Sequence, residues 1–184
     1  GVQPEPRGAS TPDPSVQSGD PLLPVTEIIQ KLAKALGNIP VVVGRTRGAR
    51  GKYDEKTSVI FMKTANDLEV FAHEMGHHIH TTMFPDMESE ELIDLGRRTA
   101  KPAGGAAPSR GQLHKEGVAE FFRIWSHNPN HAKHVAPHYY SEFEAAIRSH
   151  PLGKAVLEFQ KAYIDIFNAT GAARFANSVN FYRR

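Results

Sequence analysis

His73, Glu74 and His77 are spaced so that a helix would present two imidazoles and one carboxylate to a common point. At ~100° per helical residue, positions i and i+4 fall one turn apart on one face, with residue i+1 beside them. Two neutral imidazole nitrogens placed in this way can share one Zn²⁺. The glutamate between them can then take a proton from a water in the open coordination position. That is the chemistry of a zinc-dependent hydrolase. The pattern His-Glu-x-x-His is short and recurs in unrelated chains, so its weight depends on a helix around it and a further ligand after it.

The flanking residues supply the helix. Thr64 and Asn66 offer N-cap side chains, and Asp67 and Glu69 suit the positive end of a helix dipole. Leu68, Phe71, Met75 and Ile79 share one side, while Val70, His73, Glu74 and His77 cluster about a third of a turn away. One face packs and its neighbour is free to bind metal. The chain has ten histidines, and an ordinary amphipathic helix could carry some of them. His78, near the packing face, and His80, off the metal face, read as structural or exposed.

A catalytic zinc takes three protein ligands and a water. A histidine six residues beyond His77 is excluded, because that position is Met83. Asp86, Glu88, Glu90, Glu91 and Asp94 follow the first helix too closely to fold back without a turn, and they read as a solvated helix near 87–97. The stretch from Lys115 to Trp125 is the stronger source. Leu113, Val118, Phe121, Phe122, Ile124 and Trp125 make it apolar over most of its circumference, whereas Glu116, Glu120 and Arg123 form a polar stripe at i, i+4 and i+7. Carboxylates on a buried helix are costly unless paired or bound to metal, so the stripe demands partners, and either glutamate can be the third ligand.

His73-Glu74-x-x-His77 followed by Glu116-x-x-Ala119-Glu120 resembles the gluzincin metallopeptidases, in which a second helix carries Glu-x-x-Ala-Asp/Glu. The resemblance implies that Glu116 completes the metal site, that Glu120 accepts from a ligand histidine, and that Ala119 lets the two helices approach closely. Over about residues 40–145 the chain is similar, more narrowly, to the zincin-like metallopeptidase domains embedded in large polyvalent proteins of phages and mobile elements. The matching features are Gly51-Lys-Tyr53, a short strand around Val59-Ile60-Phe61, Asp67, the two motifs, and a tail with Ala136-Pro137 and Tyr139-Tyr140. Glu120 stands where many gluzincins have Asp, which keeps it open as an alternative ligand.

The resemblance implies a zinc-dependent endopeptidase holding one Zn²⁺, with Glu74 as general base and then acid. In zincins as a group the strand before the active helix edges the cleft and pairs with an extended substrate. That implies Val59, Ile60 and Phe61 as the substrate-contacting strand. An oxyanion stabiliser is expected from Tyr139 or Tyr140, with His138 and His114 as further candidates by type. The competing reading is a non-catalytic, zinc-stabilised interaction module of a larger phage or toxin polypeptide. Such a site would be closed by four protein ligands and would have no use for Glu74.

The elements that must position these residues read as an α+β, zincin-like fold, with a small N-terminal sheet beside the active helix and a mainly helical C-terminal part. A helix at 26–36 closes at Gly37. Strands at 41–43 and 58–62 are joined by a basic, Gly-containing connection, with 58–62 as an edge strand beside the metal. A flexible loop at 102–109 leads to the Glu116 helix, and helices near 138–149 and 152–168 finish the chain. Residues 1–23, rich in Pro, Ser and Gly, read as an arm or linker, and 24–184 as one domain of the 184-residue chain. With 22 basic and 20 acidic residues, a net charge of +2 makes no strong claim on nucleic acid. Only Arg45, Arg47, Arg50 and Lys52 form a local basic group. There is no cysteine, so disulfides and thiolate ligands are excluded. No apolar run approaches a membrane span and no signal peptide is visible. The chain begins with Gly, which suggests a piece of a larger polypeptide, and the resemblance favours a phage or bacterial intracellular setting with a protein or peptide as substrate.

Overall fold

The computed structural model describes residues 24–99 and 106–169. The arm expected at 1–23 and the first four residues of the loop expected at 102–109 lie outside the described residues. The fold is α+β and mostly helical, with seven helices and one three-stranded sheet among the described residues. No helix among them is long and apolar enough to cross a membrane.

Helix α1, Val25–Ala35, buries Ile28, Ile29, Leu32 and Ala33, the face set by its 3–4 residue spacing of apolar side chains. Gly37 takes φ +116, a conformation that a side chain would strain, and turns the chain into strand β1, Val41–Val43. The connection expected between two strands contains a third, β2, Gly51–Asp54. It pairs antiparallel with β3, Val59–Met62, while β1 pairs parallel on the other side, giving the order β1-β3-β2. The expectation of β3 as an edge strand is therefore corrected. Its backbone is paired on both flanks, and Ile60 and Met62 are fully buried. The edge nearest the helix that carries His73 and His77 is β2. Lys63 N–H donates to Arg50 O, so by the antiparallel alternation Gly51 and Tyr53 turn their backbone groups away from β3.

Helix α2, Leu68–Met83, starts one residue later than Asn66 would place it. Its N-cap is Asp67, whose side chain accepts from Val70 N–H at 3.1 Å. Asp67 is held in turn by Arg50, which ties the helix start to the sheet. Gly51 packs directly on α2: a Cβ there would stand 2.3 Å from Val70 Cγ1 and 3.2 Å from Glu74 Cγ.

Helix α3, Glu90–Thr99, is less solvated than its acidic sequence suggests, since Leu92, Ile93, Leu95 and Gly96 are buried. It packs along helix α4, Arg110–His127, which opens with a capping box between Ser109 and Gln112. A short α5, Pro129–Val135, leads into α6, Pro137–Ser149, and α7, Gly153–Ala169. The core is aromatic. Phe122 lies 5.7 Å from Trp125 and 6.2 Å from Phe159, centroid to centroid, and Phe143 packs edge-on against Phe121 and Trp125. This core seats α4 against α2, the two helices that carry the motif residues.

Candidate metal centre

Close approach of two backbones brings the motifs together. Gly76, midway between Glu74 and His78 on α2, lies so near α4 that a Cβ would meet Ala119 Cα and Phe122 Cβ, both at 2.9 Å. With small residues on both sides of the contact, the side chains flanking it reach across. His73 Nε2 stands 3.2 Å from Glu116 Oε2, and His77 Nε2 stands 3.6 Å from Glu116 Oε1. One donor atom from each of His73, His77 and Glu116 lies within 4.8 Å of the other two. These are two imidazole nitrogens and a carboxylate oxygen, a donor set that suits Zn²⁺. Glu116 is 40% exposed at its side chain, so one side of the group is open to solvent.

Glu120, one turn on, has a different neighbour. Its Oε2 lies 3.3 Å from His73 Nδ1, the ring nitrogen opposite the one facing Glu116. Arg123 engages both Glu120 oxygens. The structure thus separates the two glutamates that the sequence left open: Glu116 converges with both histidines, and Glu120 backs one of them.

The electrostatics follow from that arrangement. Burial alone would lower the His73 pKa, but hydrogen bonds to Glu116 and Glu120 and the charge of Glu74 outweigh it and raise it to about 9. His77 goes the other way, to about 4, first because it is buried and then because His73 beside it is charged. Glu116 is held below the usual carboxylate range by its bond from His73. Glu120 falls to about 2 because bonds from His73 and Arg123 overcome its burial. Glu74 is raised to about 7, chiefly by burial, with the His73 charge opposing and Glu116 adding to it. The ligand-type carboxylates are ionised, and the one buried beside them is poised to exchange a proton near neutrality.

Sequence reasoning missed Tyr53. Its backbone N–H donates to Glu74, its ring lies parallel to that of His77 at 6.3 Å, and its hydroxyl meets His78 Nδ1 at 2.8 Å. His78 also donates to the Leu36 carbonyl, so the neutral ring uses Nδ1 to accept from Tyr53. His78 is buried and structural, as its place on the packing face suggested. The signal for Tyr53 was the Gly-Lys-Tyr run, legible as a matching feature without a role.

The four side chains with the right chemistry for an oxyanion role are engaged elsewhere. Tyr139 is buried edge-on against Phe121 at 4.7 Å, and its phenol is pushed up by burial. Tyr140 is bonded to Glu144 and lies under Lys133. His138 bonds Glu91 at 2.7 Å. His114 accepts from Ser89 N–H at 3.2 Å and sits 5.4 Å from the His80 ring. Val59, Ile60 and Phe61 lie on the paired central strand, so the strand beside Glu74 is β2. Comparison of the chain with protein-family models, with curated proteins and with solved structures found no match.

Proposed function

We propose that this chain is a zinc-dependent endopeptidase of gluzincin type on a zincin-like fold, binding one Zn²⁺ through His73, His77 and Glu116. The observation that carries the reading is the convergence of those three donors within 4.8 Å beside a buried Glu74. A bound zinc supplies Lewis acidity, lowering the pKa of a water and polarising a carbonyl. Glu74, buried beside the three donors, accepts the proton from the attacking water and returns it to the leaving amine. The Tyr53 amide fixes the Glu74 carboxylate while it does so. Glu120 orients His73 from behind, leaving Nε2 for the metal. With the Tyr53 amide taken by Glu74, the outer edge of β2 leaves the Tyr53 carbonyl and the main-chain groups of Gly51 to meet an extended peptide, which binds by such pairing with little demand on its sequence.

A zinc-only structural module has no need of a proton-handling carboxylate, and the position of Glu74 beside the cluster favours catalysis over it. The test joins metal analysis with digestion of unfolded proteins. Wild-type protein is expected to hold about one zinc and to cleave, Glu74→Gln to hold zinc without cleaving, and His77→Ala to hold none. Cleavage surviving Glu74→Gln overturns the mechanism, and a zinc-loaded wild type that cleaves nothing overturns the endopeptidase reading in favour of the module.

A further inference from the structure

Arg123 completes the polar stripe of α4, and metal binding by Glu116 leaves it unexplained. Its side chain is only 25% exposed, which disfavours an arginine unless its donors are matched. They are matched on one carboxylate. Nε donates to Glu120 Oε1 at 3.1 Å and to Oε2 at 3.0 Å, and Nη2 donates to Oε1. Nη1 lies 3.9 Å from Glu69 Oε1 on α2, so the guanidinium also spans the two helices that form the site. A forked arginine contact fixes the plane of a carboxylate as well as its charge.

From this geometry we infer that Arg123 is the positioning residue of the metal centre, acting through Glu120. With both oxygens of Glu120 held by Arg123 and Oε2 directed at His73 Nδ1, the carboxylate cannot swing toward the metal. It can only steady the ring that presents Nε2 to Glu116. Arg123 therefore decides which of two glutamates on one helix serves as ligand and which as support. The inference rests on the proposed zinc site.

A double-mutant cycle read by competitive Zn²⁺ titration and by the visible spectrum of the Co²⁺-loaded protein tests it. Arg123→Met is expected to weaken Zn²⁺ binding by about 10–100-fold, as losing a ligand's hydrogen-bond partner does. Glu120→Gln should do the same, and the two together should be no worse than Glu120→Gln alone, because one acts through the other. The Co²⁺ spectrum should shift in all three. Arg123→Lys keeps the charge without the fork, so it should fold like wild type yet bind Zn²⁺ more weakly, and it carries the test if Arg123→Met does not fold. Additive losses in the cycle, or an Arg123→Lys protein with wild-type affinity and spectrum, would overturn the inference while leaving the metal site standing. A wild-type protein that takes up no Zn²⁺ or Co²⁺ would remove the metal site and the inference together.

Discussion

Two glutamates one turn apart on α4 are given different work by what surrounds them. Glu116 meets both histidines on a partly open side, and Glu120 is enclosed by His73 and Arg123. Glu116→Gln is therefore expected to abolish tight zinc binding, and Glu120→Gln to weaken it by about 10–100-fold. A metal titration in which Glu120→Gln is the more damaging change would reverse the assignment. The same cluster holds a proton where the proposed metal would sit. At pH 7 His73, with its pKa raised to about 9, is charged, while His77, lowered to about 4, is neutral. Zinc uptake must displace the proton on His73 Nε2, so this group should release about one proton at pH 7, about half a proton at pH 9 and little above about pH 10. Calorimetry in buffers of different ionisation enthalpy measures that number, and a value of zero at pH 7 would contradict this distribution of charge.

At the scale of elements, the site depends on how closely α2 and α4 approach. Gly76→Ala adds a methyl group 2.9 Å from Ala119 Cα and Phe122 Cβ, and overpacking of this kind costs about 1–3 kcal/mol. Because the helices must part at the point between His73 and His77, zinc affinity should fall along with stability. A Gly76→Ala protein that is destabilised but binds zinc like wild type would show that the ligands have enough play to follow. Both helices were legible in the sequence, α2 from the spacing of His73 and His77 and α4 from a polar stripe on an apolar cylinder. Strand β2 was not. It has only four residues, lies in a run of Arg, Lys and Gly, and exposes Lys52 alone of the four, a pattern too short to stand out. Without β2, β3 reads as an edge strand and Tyr53 has no place beside Glu74. Tyr139 and Tyr140 drew attention because their type suits an oxyanion, yet Tyr139 sits in an aromatic core whose existence depends on long-range packing. The placement of side chains by spacing within one helix could be read; their placement by which strand lies beside that helix required the fold.

Across the whole molecule, the proposed zinc would compete with a proton for one place, which would make stability depend on both. His73 is raised from 6.5 to about 9, so its contribution to the metal-free fold is complete below about pH 6.5 and is lost as pH rises through 9. Glu74, raised from 4.5 to about 7, favours its neutral form in the fold and so adds to the loss as pH climbs toward 7. His77, lowered from 6.5 to about 4, opposes them only below pH 6.5, and Glu120, lowered to about 2, matters only below about pH 4.5. From pH 6.5 to 9, then, the metal-free protein should become less stable. Zinc binding strengthens over the same interval because the competing proton leaves His73. A ligand at ~100 times its Kd adds ~2.7 kcal/mol, and each kcal/mol moves Tm by roughly 2–4 °C in a chain of this size, so zinc should raise Tm by about 5–10 °C. The rise should be larger at pH 8.5 than at pH 6.5, be reversed by a chelator, persist in Glu74→Gln, and vanish in His77→Ala. Thermal melts of the wild-type, Glu74→Gln and His77→Ala proteins with and without zinc, and of the zinc-loaded wild type with chelator, at the two pH values decide the matter: a Tm gain that is the same at both pH values, or that survives His77→Ala, would place the stabilising metal somewhere other than this cluster.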